Sequence, residues 1–163
     1  MKPSEKNNIE IKFTKFIPFG NYFAMMWKGD VLIKNKDKDK WNNIKDSING
    51  KEYINHEKIH LKQAVSTNDS WFNYYLIYVF MYIKNLPIIF GFDFPYKFIA
   101  FEMEAYANED NLQYLDNKEK TEEWRKYNKL SLKDKRKYWK LYKEIRKEKI
   151  IGFGDFINKN III

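Results

Sequence analysis

The spacing of apolar and polar positions changes along the chain, and the changes mark out its elements. Residues 9–34 read as β. IEIKFTKFIPFG (9–20) alternates in part, and FAMMWKGDVLIKN (23–35) reads as a hairpin turning at Lys28-Gly29-Asp30. KDKDK (36–40) is a charged loop, and Asn49-Gly50 signals a turn. From about Lys51 to Val65 the period becomes helical, with Ile54, Ile59, Leu61, Ala64 and Val65 apolar. Ser66–Ser70 is a polar break in which Asp69 or Ser70 can cap the next helix.

Trp71–Ile83 is apolar except for Asn73, and the run stops at Lys84 ahead of Pro87. A membrane span needs about 20 apolar residues, so this shorter run predicts a buried central helix, with an interfacial helix as the alternative. IIFGFDF (88–94) is a connector, and Asp93-Phe94-Pro95 opens a helix expected from about Pro95 to Leu115. In the tail, Ser131 and Asp134 resemble a capping box, and Tyr138, Leu141, Tyr142 and Ile145 form one stripe. The ending IIGFGDFINKNIII is apolar and unassigned. No repeat or second domain is evident. The order of elements predicts an α+β fold, with a small N-terminal sheet packed on the helix over 51–65. Residues 1–163 form one domain, with 118–163 a basic helical extension.

Composition changes this picture in two ways. The 163 residues include no cysteine, so disulfides and thiolate metal sites are excluded, and any metal must be held by His, Asp or Glu. The net charge of +8 is concentrated: residues 118–149 hold 14 Lys or Arg against 6 Asp or Glu, which accounts for all of it. Clustered lysines beside Trp124, Tyr127, Tyr138 and Trp139 could contact phosphates. The simpler reading is a solvated amphipathic helix packed on the domain, so nucleic acid and membrane surface are disfavoured as partners. The start MKPSEKNN has no apolar run behind a basic segment, which points to a cytoplasmic protein.

The chain has two histidines, and both lie in His56-Glu57-Lys58-Ile59-His60, an H-E-x-x-H motif. Four residues apart on a helix, the two imidazoles share a face and can reach one zinc ion. Glu57 projects about 100° away around the axis. From there it can touch a metal-bound water and take its proton as general base. The same residues could also decorate an ordinary surface helix, so a third ligand is needed. A catalytic zinc has three protein ligands and one open position. Phe101–Glu109 (FEMEAYANE) places three carboxylates on a predicted helix. Glu102 and Glu104 point about 200° apart, whereas Glu102 and Glu109, seven apart, share a face.

H-E-x-x-H followed by a helical E-x-x-A resembles the gluzincin metallopeptidases. The strings INHEKIHLKQ and FEMEAYANE are also similar to small bacterial proteins of zincin type. The resemblance covers roughly residues 50–115 and stops short of the basic tail. It implies a zincin-like domain, bound zinc, and Glu102 as third ligand beside His56 and His60, with Glu104 the alternative if the helix phase differs. It also implies hydrolysis of peptide bonds in a peptide or protein substrate, with Glu57 as general base. By the same analogy, Val31–Asn35 could pair with an extended substrate. The sequence departs from the family pattern four residues after Glu102: many gluzincins have an Asp there that orients a ligand histidine, and here the residue is Tyr106. Its phenol could hold an imidazole, stabilise a developing oxyanion, or pack in the core. The alternative functions are a zinc-binding protein without catalysis and a nucleic-acid or membrane-surface binder acting through the basic tail. The oligomeric state is not fixed by any of these features.

These readings predict about one zinc per chain in protein purified without chelator. His60→Ala should lose it, and Glu102→Ala should weaken binding far more than Glu104→Ala. Metal analysis of the purified variants is the measurement. A metal-free wild type that takes up no added zinc refutes the motif.

Overall fold

The computed structural model describes residues 1–16, 23–86 and 93–163. The fold is α+β, with a small mixed sheet at the N-terminus and helices thereafter. Strands β1 (Ile11–Thr14), β2 (Ala24–Trp27) and β3 (Asp30–Lys34) lie in the order β1-β3-β2. β2 and β3 form the expected hairpin, with Trp27 opposite Asp30. Lys28 and Gly29 make the two-residue turn, both with positive φ (49° and 82°), the geometry that matches strand twist. β1 runs parallel to β3, with Ile11 beside Val31. β3 is therefore the central strand and both its edges are taken, so strand addition by a substrate at Val31–Asn35 is corrected. Alternate residues Val31 and Ile33 point inward and pack with Trp41, Tyr53 and Ile54. This contact seats the sheet on the helix that carries the histidines. Residues 17–22 of the predicted β region, and residues 87–92 of the connector, fall outside the described residues.

The charged segment after β3 is helical, not a loop. A single 3-10 turn (Asn35–Asp37) leads into α1 (Lys38–Ile44), which Trp41 anchors in the small core. α2 (Ile48–Ser66) starts three residues earlier than expected, because Ser47 caps it by accepting the Gly50 N–H at 3.3 Å. Gly50 is thus a first-turn residue and not a turn signal. A side chain there would collide with the Ile44 and Lys45 carbonyls, so glycine permits the tight α1–α2 junction. Ser70 caps α3 (Trp71–Asn85), as read from the sequence.

Three expectations for the later helices are revised. The α3 run was expected to be buried, yet only Trp71, Tyr74, Met81 and Asn85 are; Phe72, Leu76, Val79, Phe80 and Ile83 are exposed. The helix expected over 95–115 divides into α4 (Asp93–Lys97) and α5 (Ala100–Asn108), because Ile99 is extended (φ −64°, ψ 130°). The tail stripe is borne out at Tyr138, Tyr142 and Ile145, which pack on the main core, and corrected at Leu141. In α7 (Leu132–Glu148) the buried side chains are Lys135, Trp139 and Tyr142, while Leu141 faces solvent. Ser131 caps α7 as expected, accepting the Asp134 N–H at 3.1 Å.

α5 is the axis of the molecule. Every residue from Ala100 to Ala105 is buried, with α2, α6 (Trp124–Asn128) and α8 (Phe153–Asn160) packed around it. The tail supplies much of this main core, through Trp124, Tyr127, Trp139, Tyr142, Phe153, Phe156 and Ile157. Lys135 ties α7 inward, donating to Asn85 Oδ1 (3.1 Å) and the Phe98 carbonyl (2.9 Å). Burial, helped by Lys84, pushes its ammonium down to about 8.

Gly154 is the closest approach of α8 to α5: a methyl group there would overlap the Tyr106 carbonyl. Gly154→Ala should therefore cost about 1–3 kcal/mol as an overpacking substitution, lowering the melting temperature by roughly 2–12 °C for a domain of this size. Gly152→Ala, whose methyl meets only the Asp155 carboxylate at 3.8 Å, should melt near wild type. Thermal denaturation of the two variants decides the point.

Candidate metal centre

Between α2 and α5 the structure brings together His56, His60 and Glu102, all buried. The histidines sit one turn apart on the α2 face that meets α5, their rings 4.8 Å apart and crossed at 80°. Glu102 reaches between them from the first turn of α5, with Oε2 3.3 Å from His56 Nε2 and Oε1 3.4 Å from His60 Nε2. Those separations are long for charge-assisted hydrogen bonds, which run about 2.7–2.9 Å. They match the spacing of two ligands on a tetrahedral ion: bonds of about 2.0–2.2 Å at the tetrahedral angle put donor atoms about 3.3–3.6 Å apart. Glu102 Oε2 is buried with no hydrogen-bond partner. An anionic oxygen orphaned inside a protein is costly unless a cation meets it. This group could hold a metal ion.

The remaining ring nitrogens are fixed in the way a metal site requires. His56 Nδ1 lies 2.7 Å from the Glu109 carboxylate and donates to it. His60 Nδ1 lies 2.8 Å from Gln63 Oε1. The Gln63 amide nitrogen donates to the Phe101 carbonyl (3.0 Å) and to Glu104 Oε2 (2.9 Å), so its oxygen must be the acceptor for His60. In each ring Nδ1 thus carries a proton, and Nε2, facing Glu102, is the atom free to bind a metal once its own proton is lost. Glu102 is steadied in turn by the Tyr78 hydroxyl of α3, which donates to Oε1 at 2.7 Å.

Glu104, two residues from Glu102, faces another way and is fully buried. It accepts from Gln63, the Tyr114 hydroxyl (2.7 Å), the Thr121 hydroxyl and the Trp124 N–H (3.0 Å). The helix phase read from the sequence therefore holds: Glu102 is the carboxylate grouped with the two histidines, and Glu104 fastens the chain after α5. Glu57 is buried beside the two histidines and its charge bears on both. Tyr106 packs the edge of its ring against His56 (4.9 Å, 72°). The carboxylate that orients His56 is Glu109, one turn beyond the position where the gluzincin pattern has its Asp.

Glu109, Gln63, Asn55 and Tyr78 were given no role in the sequence reading. For two of them a signal existed. Glu109 shares a helical face with Glu102, and Gln63 is one turn beyond His60. Asn55 is different: its amide reaches the carbonyls of Asn108, Glu109 and Asn111 at 3.0–3.1 Å, clamping the turn that presents Glu109. Only the fold reveals that. No family model, curated protein or solved structure matches this chain.

Charge in the centre is strongly coupled. Burial opposes protonation of His56, but Glu102 and Glu109 outweigh it and raise the imidazole from its usual value to about 10. His60 is raised as well, against the same burial, mainly by Glu102. Burial likewise opposes ionisation of Glu102, yet the two imidazoles hold it far below the usual carboxylate range. These shifts are faces of one interaction and do not add. In the metal-free protein the raised His56 contributes stability that is complete below about pH 6.5 and is lost as pH climbs toward about 10. A metal must displace that proton. Its affinity should therefore rise with pH through neutrality, with release of at least about one proton per ion bound. Calorimetric titration in two buffers of different ionisation enthalpy counts the protons. In the same assay Glu109→Ala should weaken the metal about 10–100-fold, the usual cost of losing an orienting partner.

Proposed function

We propose that this chain is a zinc-dependent metallopeptidase of gluzincin type. The observation that carries the reading is the pair of Nε2 atoms facing Glu102, whose Oε2 has no hydrogen-bond donor, with the H-E-x-x-H glutamate buried beside them. His56, His60 and Glu102 are the three ligands, the His₂Glu donor set of catalytic zinc, which leaves a fourth position open. N and O donors without sulfur suit zinc among several divalent ions, and the three-ligand count favours it. A zinc ion bound there supplies Lewis acidity, polarising a peptide carbonyl and acidifying a water.

The protein groups do the rest. Glu57 accepts the proton of the attacking water and delivers it to the departing amine nitrogen as the peptide C–N bond breaks. Glu109 and Gln63 keep both imidazoles in the tautomer that presents Nε2. Tyr74 and Tyr78 pack around Glu102 and His60 from α3 and keep that side dry. Tyr106, whose ring packs against His56, is the residue that would stabilise a developing oxyanion with its phenol.

Glu57→Gln separates this reading from a zinc protein without catalysis. The variant should retain about one zinc per chain, because Glu57 is not a ligand. It should lose peptide hydrolysis by at least about a hundredfold, the usual contribution of a positioned base. A fluorogenic peptide library assayed alongside metal analysis makes the comparison. Zinc-loaded wild type that cleaves nothing in the library defeats the peptidase reading and leaves the metal centre standing.

A further inference from the structure

The exposed face of α3 is the least expected surface of the molecule. Phe72, Leu76, Val79, Phe80 and Ile83 recur at spacings of three and four and form one stripe along the helix, and Leu86 just beyond its end is exposed as well. Phe72 and Phe80 are 74% and 67% exposed. Soluble monomers rarely leave a contiguous apolar patch of this kind bare. No charged residue occurs from Trp71 to Ile83.

The borders of the stripe have a definite chemistry. On one flank Tyr75 stacks on Trp27, ring centroids 5.1 Å apart, and its hydroxyl accepts the Lys28 N–H at 2.7 Å. The hairpin tip thus adds a part-exposed indole and an exposed lysine beside the helix. At the C-terminal end stands the exposed Lys84. There Lys135, bound to Asn85 and the Phe98 carbonyl, draws in the first turns of α7. α7 carries eight Lys or Arg against three Asp or Glu. Asp69, before the N-terminal end, is engaged by the Ser4 N–H and hydroxyl. An apolar stripe edged by amphipathic rings and lysines is the pattern of a helix lying in a bilayer interface.

We propose that the α3 face docks on an anionic lipid bilayer, with Phe72, Leu76, Val79, Phe80 and Ile83 entering the acyl boundary and Lys28, Lys84 and the basic α7 facing the headgroups. Charge selects this occupant. A second copy would bring two chains of net charge +8 together, whereas an anionic surface attracts the same charge. α3 lies on the membrane and does not cross it: its 15 residues span about 22 Å at 1.5 Å per residue, short of a hydrocarbon core of about 30 Å. Among the described residues, no helix is long and apolar enough to cross a membrane. The inward flank of α3 carries Tyr78, which holds Glu102. Docking would therefore put the metal group about one helix diameter, roughly 10–12 Å, from lipid.

The test is co-sedimentation of the 163-residue chain with phosphatidylcholine vesicles, with and without phosphatidylglycerol. Binding to the anionic vesicles is expected, falling as salt is raised. Phe72→Ser with Phe80→Ser should weaken it by more than about tenfold, since burying each aromatic is worth at least about that factor. Both positions are exposed, so zinc content and melting temperature should stay at wild-type values, which separates lost docking from lost folding. Wild type left in the supernatant with both vesicles overturns the proposal, as does equal binding to neutral vesicles. A concentration-dependent dimer in sedimentation velocity that the double variant abolishes assigns the face to self-association and also overturns it. None of these outcomes depends on peptidase activity.

Discussion

Burying a carboxylate costs several kcal/mol unless an opposite charge and good hydrogen bonds meet it, and Glu102 is buried at the middle of the helical core. Much of the surrounding architecture answers that cost. α2 supplies two imidazoles on one face, α3 supplies a tyrosine hydroxyl, and α5 holds the carboxylate in its first turn. One oxygen is still left without a donor. In the metal-free protein the balance is struck by protons on the histidines, which explains why His56 is shifted so far upward. A divalent ion could strike it with more charge, at the separations the three side chains already have.

Glu104 shows how the same helix serves a second purpose. Its carboxylate gathers donors from Gln63, Tyr114, Thr121 and the Trp124 backbone. Gln63 is shared: one end of its amide binds Glu104 and the other orients His60. The chain beyond α5 is thereby connected to the His60 imidazole through two side chains. The basic tail also contributes Trp124, Trp139, Tyr142 and Phe153 to the principal core. Its charge and its packing are largely separate properties: apart from the buried Lys135, most of its lysines lie at the surface, while the aromatics hold α5 in place.

α3 illustrates the limit of reading burial from hydropathy. A nearly continuous apolar run is the pattern of an all-round buried helix, and Trp71, Tyr74 and Met81 do behave that way. The opposite face finds no cover among the described residues, since β2, α2 and α4 meet the helix on its other sides. Composition cannot distinguish a helix enclosed by protein from one enclosed half by protein and half by something else, because both environments reward the same side chains.

The sequence by itself determined what is local. His56 and His60 share a face because a helix repeats every 3.6 residues. The same period separates Glu102 from Glu104 and sends them to different partners. Ser70 and Ser131 cap helices because their hydroxyls accept N–H groups three residues on. Lys28-Gly29 turns a hairpin because both positions take positive φ. Tertiary structure decided what depends on distant chain segments. It placed β3 in the middle of the sheet, broke the expected long helix at Ile99, and made Gly50 part of a helix where Asn49-Gly50 read as a turn. It also carried Glu102 across the 41 intervening residues to His60 and chose Glu109 to orient His56. Such contacts are set by the packing of whole helices and by the need to satisfy buried charge, and neither leaves a fixed spacing in the sequence.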